Sequence, residues 1–125
     1  MKIASLISRT LLGLIFLIFG LNGFLHFIPG QLPTGLPGDF LRALVESHYD
    51  LFISAVQVLS GALLLANRYL ILGLVLIAPV IVNILLFHIF LLRSGLAIAI
   101  FVAILWTIVA LHHRQFLATL FVQRT

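Results

Sequence analysis

Four long apolar runs, separated by short polar breaks, set the pattern of the chain. About 20 apolar residues in helical form cross a bilayer, so the runs predict four transmembrane helices. Residues 67–68 and 93–95 leave room only for turns, which makes the helices that they join antiparallel neighbours. The predicted fold is all-α: a four-helix antiparallel transmembrane bundle, one integral membrane domain over 1–125. The predicted spans are about 10–28, 50–66, 69–92 and 96–112.

The segment between the first two runs, residues 29–49, is the predicted outer loop. Its first part, Pro29–Gly38, is rich in proline and glycine and indicates irregular backbone. Asp39–His48 follows, with a good N-cap residue at its start and Arg42 and Glu46 spaced as an i,i+4 pair. Apolar positions on one helical face predict a short amphipathic interfacial helix on the membrane surface. These positions are Phe40, Leu41, Leu44 and Val45.

The first run follows Lys2 and Arg9, an arrangement that also occurs in signal peptides. The run is longer than the apolar part of a signal peptide, and no A-x-A-like cleavage site follows it. We therefore interpret it as a retained span in which Arg9 snorkels to the interface and which Pro29 ends.

Composition excludes a water-soluble domain. Hydrophobic residues make up 63% of the chain and charged residues 8%, against roughly 45–50% and about 25% in soluble domains. The net charge of +4 comes from scattered cations rather than the clustered basic face of a nucleic-acid-binding protein. Without cysteine, the chain cannot form disulfides or thiolate metal sites.

The distribution of Lys and Arg predicts the orientation, since cytoplasmic loops carry the excess of cations. Arg42 and Arg93 lie on one side, and the other five cations lie on the opposite side. Both termini are therefore predicted to be cytoplasmic, in a protein integral to the cytoplasmic (inner) membrane. The five cations are Lys2, Arg9, Arg68, Arg114 and Arg124.

Small residues repeat along the spans and predict helix contacts, because close backbone approach drives helix association in lipid. The first span carries Gly13 and Gly20, and the second carries Ser54 and Gly61 at the same spacing. The last span repeats small residues every four positions, at Ala99, Ala103 and Thr107.

Polar side chains inside spans are candidate site residues because burying them in lipid is costly. The candidates all lie in the outer half of the predicted bundle, and two interpretations stay open. Each side chain either bonds a neighbouring helix, or they line an outward-opening ligand pocket beneath the outer loop. No catalytic residue and no metal site is predicted. The candidate ligand-binding residues are Asn22, His26, Gln57, Asn83 and His88.

Three segments resemble the DoxX family of small four-helix membrane proteins. The first span has a glycine-bounded apolar stretch, Gly13–Gly20, followed by Asn-Gly-Phe-Leu-His-Phe. Gln57-Val-Leu-Ser-Gly61, and Ala78-Pro79 followed by Asn83 and His88, resemble the second and third helices of that family. The resemblance implies a subunit that accompanies a quinone-linked oxidoreductase, and it implies no catalytic residue set.

Function is thus predicted as a non-catalytic accessory subunit of a membrane-bound, quinone-linked redox complex. The alternative is a stand-alone protein with an outward-facing pocket for a quinone or another lipophilic ligand. A haem held by His26 and His88 is a third hypothesis, which we disfavour because no second histidine pair exists at that depth. The predicted partners are the bilayer and either other complex subunits or further copies of the chain. Whether the chain is itself an enzyme stays open.

Overall fold

The computed structural model describes residues 2–26 and 32–122, which form helices and turns without any strand. Four segments, the first, third and fourth α-helices and Arg93–His112, are long and apolar enough to cross a membrane. The predicted all-α fold with four such helices is confirmed. The α-helices are α1 (Lys2–Leu25), α2 (Gly35–Glu46), α3 (Tyr49–Ala66), α4 (Leu70–Phe90), α5 (Leu96–His112) and α6 (Arg114–Leu117), and Arg93–Gly95 and Ala118–Phe121 are 3-10 turns.

α1 begins eight positions earlier than the predicted span. The hydroxyl residues Ser5 and Ser8 are both buried, so this polar start packs inside the protein and continues the helix. The helix ends at Leu25, where His26 adopts a left-handed backbone conformation with φ of 52°. Pro29 and Arg124, to which predictions were attached, lie outside the described residues.

α2 also begins earlier than predicted, at Gly35 rather than Asp39. Pro37 lies in its first turn, where a helix has no intrahelical partner for a backbone N–H and so tolerates proline. The predicted loop therefore includes helical residues from 35 onward. The Arg42 guanidinium pairs with Asp39 at 3.2 Å, one turn earlier, instead of with Glu46 as predicted.

The four long helices form a closed ring of contacts. α1 packs against α3 and α5, and α4 packs against the same two helices. α2 lies on α3, and its Phe40 ring contacts the Phe87 ring of α4 with 5.6 Å between centroids. Apolar side chains from α1, α3, α4 and α5 fill the centre of the ring. The most completely buried of them are Leu12, Leu64, Leu74, Ile77 and Val109.

The contact between α1 and α3 runs along the predicted small residues. A Cβ atom added to Gly61 would lie 2.6 Å from the Leu17 backbone nitrogen and 2.8 Å from the Gly13 carbonyl oxygen. Toward the other end of the contact, Gly20 meets the backbone of Ser54 and Gly23 meets its side chain. Late positions of α1 thus meet early positions of α3, and only glycine allows the two backbones to approach this closely.

Arg9 joins the same two helices by hydrogen bonds. Its Nη1 atom donates to the carbonyl oxygens of Leu64 at 2.5 Å and Leu65 at 3.2 Å, in the last turn of α3. Carbonyls in the last turn of a helix lack intrahelical donors and carry partial negative charge. The guanidinium therefore caps α3, a role more specific than the predicted snorkelling.

We expect Gly61→Ala to lower the free energy of unfolding in detergent by about 1–3 kcal/mol, because the added methyl group meets the backbone of α1. Gly73→Ala is the matched control, since its Cβ would lie 3.3 Å or more from its nearest neighbours. Denaturant unfolding followed by circular dichroism measures both variants. Equal stabilities for the two would contradict the close α1–α3 contact.

Candidate functional site

The principal cavity is an apolar groove of about 630 Å³ between α4, α5 and the C-terminal segment. This volume lies within the range of small-molecule sites, roughly 300–1,000 Å³. We call it the α4–α5 groove. Its lining consists of Val75, Ala78, Pro79, Val82, Asn83, Leu86, Trp106, Leu117, Leu120 and Phe121.

Among the described lining residues, Asn83 is the one with a side-chain amide. The side chain is exposed on the protein surface and makes no hydrogen bond to another described residue. Asn83 lies seven positions before the end of α4, or about 10 Å along the helix axis. An amide with two donors and an acceptor is therefore presented to whatever fills the groove.

Pro79 and Trp106 shape the wall beside Asn83. Pro79 lies inside α4 and has no N–H to donate to the carbonyl four residues earlier, that of Val75. At the adjacent carbonyl, the Trp106 indole Nε1 donates to Leu74 at 3.0 Å. This bond ties α5 to α4 and leaves the apolar part of the indole to line the groove.

A second cavity, of about 390 Å³, lies on the other side of Asn83 beneath α2. Phe40 and Leu44 of α2 line it together with Pro79 and Val80 of α4. The outer loop was expected to cover the polar residues. Among the five candidates, Asn83 lines this cavity and the other four do not.

Two of the candidates lie at the end of α1. Asn22 is partly buried and its backbone carbonyl accepts the N–H of His26 at 2.8 Å. The His26 side chain is exposed, and its backbone conformation ends the helix. Neither residue lines the cavities next to Asn83.

Gln57 is partly buried on α3 and makes no hydrogen bond to another described residue. It lies near the α1–α3 contact, since its neighbour Val58 meets Gly20. It also does not line the two cavities next to Asn83. A ligand-binding role for Gln57 stays a prediction.

His88 has a structural environment at the turn between α4 and α5. Its Nδ1 atom lies 2.9 Å from the Leu92 carbonyl oxygen, which makes Nδ1 the protonated nitrogen in that hydrogen bond. Its ring packs edge-on against Phe87, and a side chain at Gly95 would collide with the imidazole. The histidine and the glycine together determine how tightly the chain turns into α5.

The chemistry available in the groove is binding of an apolar molecule with one hydrogen-bonding group. The described residues of its lining include neither an acidic residue nor a histidine. Across the described residues, no group of three or more His, Cys, Asp or Glu side chains lies close enough to hold a metal ion.

Sequence reasoning missed one wall of the groove. After α5 the chain turns at His113, and Leu117, Leu120 and Phe121 then line the groove beside α4. In sequence, residues 116–122 can continue helically along the interface. Their spacing of three and four positions does indicate one apolar helical face, but it does not indicate which surface covers that face.

Comparison with known proteins identifies no relative of this chain. No family model, no curated protein and no solved structure matches this chain. Membership of the DoxX family accordingly stays a proposal.

We expect His88→Ala to lower the free energy of unfolding by about 1–2 kcal/mol, because the Leu92 carbonyl loses its donor and Gly95 its packing partner. His26→Ala is the matched control, with an exposed imidazole. Thermal unfolding in detergent distinguishes the two variants. A His88→Ala protein as stable as the wild type would contradict the structural role of this imidazole.

Proposed function

We propose that this chain is a four-helix integral membrane protein that holds a quinone or a similar lipophilic molecule in the α4–α5 groove. It does so as a non-catalytic accessory subunit of a membrane-bound, quinone-linked redox complex. The exposed amide of Asn83 carries this proposal.

The physical argument starts from the cost of an unpartnered amide in lipid. Such a group costs roughly 1–3 kcal/mol in protein interiors and more in hydrocarbon. Asn83 lies within a helix long and apolar enough to cross a membrane, and no described residue supplies its hydrogen bonds. A quinone carbonyl would accept the amide N–H, while its ring and tail would occupy the apolar lining.

The accessory role rests on the resemblance to the DoxX family and on the large apolar surface of the chain. Side chains such as Phe19, Phe52 and Phe101 project outward from three different helices. Bilayer lipid and neighbouring subunits, including further copies of the chain, are the surroundings that such a surface fits. The redox centre would then belong to another polypeptide.

The contacts support an antiparallel arrangement of the spans in the cytoplasmic membrane. α1 and α3 meet with opposite residue order, and α4 and α5 are joined by a short turn. With α2 at the outer interface, the excess of Lys and Arg puts both termini in the cytoplasm.

Quantifying quinone in the purified protein tests the function. Protein purified from membranes in mild detergent should carry more quinone than mock-purified membranes, and Asn83→Leu should lower the quinone per chain about fivefold, the cost of one hydrogen bond. Gln115→Leu, the same kind of change at an exposed residue that does not line the groove, should keep it. The same preparation should retain a stoichiometric partner subunit.

Two results would contradict the proposal. A quinone content no higher than that of the mock preparation would contradict quinone binding. Purification of the wild-type chain without any other polypeptide would contradict the role of accessory subunit.

A labelling experiment tests the orientation, and the absence of native cysteine makes it clean. A membrane-impermeant maleimide should label Ser47→Cys in intact cells, because position 47 lies on the predicted outer side. Gln115→Cys, also at an exposed position, should react only after permeabilisation. The opposite pattern would reverse the proposed orientation.

A further inference from the structure

A polar pocket of about 180 Å³ lies at the end of the bundle where α1 begins. Three parts of the chain that are distant in sequence meet there: the start of α1, the α3–α4 turn and the end of α5. We call it the Arg9 pocket. Its polar lining comes from Lys2, Ser5, Arg9, Asn67, His112 and His113.

Among the described residues, no acidic side chain balances the positive charge at this pocket. Lys2 and Arg9 line it, and no acidic side chain does. The three acidic residues all lie between positions 39 and 50. Asp50 lies at the opposite end of α3 from Asn67, about 25 Å away along the helix.

The Arg9 guanidinium is held by two hydrogen bonds and has further N–H donors that these bonds do not use. Its Nη1 atom bonds the Leu64 and Leu65 carbonyls, which fixes the guanidinium and offsets the negative end of α3. A guanidinium has five N–H donors, and the three on Nε and Nη2 are not used in these bonds. A planar donor group fixed in this way suits the oxygens of a phosphate.

Ser5 adds a hydroxyl group to the wall of the pocket. Its side chain is 4% exposed, lines the pocket, and makes no hydrogen bond to another described residue. Unlike the Ser60 hydroxyl, the Ser5 hydroxyl is not a fully buried atom without a partner, so it is open to the pocket and can hydrogen-bond a ligand there. The pocket volume of about 180 Å³ is about six times the roughly 30 Å³ that one water occupies in the liquid, which leaves room for the five heavy atoms of a phosphate group.

We propose that the Arg9 pocket binds the phosphate of an anionic phospholipid headgroup. A lipid fits better than a free anion because Leu6 lines the pocket and is 52% exposed, and Ile3 beside it is exposed as well. An acyl chain attached to the bound phosphate would lie against these two side chains. The proposal requires the membrane placement of the bundle and is independent of the quinone groove.

Native mass spectrometry of the full-length chain in detergent, titrated with phosphatidylglycerol, tests the proposal. We expect the wild type to bind phosphatidylglycerol at least about tenfold more tightly than phosphatidylcholine, from two cations at about 1 kcal/mol each. Lys2→Glu should abolish most of this preference. Arg93→Glu makes an equal change in charge in the α4–α5 turn and should preserve the preference.

A pair of serine variants separates a built pocket from general charge attraction. Ser5→Ala should weaken phosphatidylglycerol binding by about threefold to tenfold, the cost of one hydrogen bond. Ser8→Ala changes an equally buried hydroxyl on the same helix that does not line the pocket, and should leave binding unchanged. Equal effects of the two would overturn the proposal.

Glycerol phosphate serves as the soluble competitor and identifies the source of the phosphate. We expect it to displace phosphatidylglycerol only at a large molar excess, because it lacks the acyl chains. Displacement at equal concentration would overturn the lipid assignment, and binding of phosphatidylcholine as tight as that of phosphatidylglycerol would overturn the anion assignment. Measuring the quinone content of the same samples distinguishes the result for the Arg9 pocket from the result for the α4–α5 groove.

Discussion

The close approach of α1 and α3 is the constraint on which the rest of the bundle depends. Gly13, Gly20 and Gly61 let the two backbones meet without side chains between them. In lipid this contact depends on packing, since apolar side chains gain nothing by leaving lipid for one another. α4 and α5 then complete the ring, and their apolar side chains fill the space that the pair encloses.

Backbone carbonyls are the hydrogen-bond partners of several polar side chains in the bundle. Arg9 bonds the end of α3, Trp106 bonds α4 near its proline, and His88 bonds the turn that follows α4. A polar residue in an apolar helix thus serves first to join backbone segments. Asn83 and Gln57 differ, because neither has such a partner among the described residues, and of the two only Asn83 lines the α4–α5 groove.

The pattern of apolar and polar residues predicted the helices well where an apolar run has polar residues at both ends. α5 spans Leu96–His112 as predicted, and α3 begins one residue before its predicted start. The pattern did not indicate that α1 is helical from Lys2, because Ser5 and Ser8 have the composition of a helix end but pack inside the protein. Whether a hydroxyl packs or faces water depends on tertiary neighbours that a single segment does not contain.

The sequence indicated which residue types could form the candidate site, but it did not indicate which residues lie together. Asn83 was singled out because it is an amide within a span. The walls around it depend on the bend at His113 and on how α2 lies over α4, both of which are long-range features. The role of His88 likewise depends on Gly95 returning toward α4 after the turn.

The hydrogen bond from Arg9 to Leu64 joins positions 55 residues apart, and this separation bears on how the protein is made. Chains are synthesised from the N-terminus, so α1 leaves the ribosome long before its acceptors on α3 exist. Until then the Arg9 guanidinium needs water or lipid headgroups as partners. The contact of Arg9 with α3 can therefore form only after α3 has been synthesised, so the N-terminal helix reaches its final hydrogen bonds late in biosynthesis.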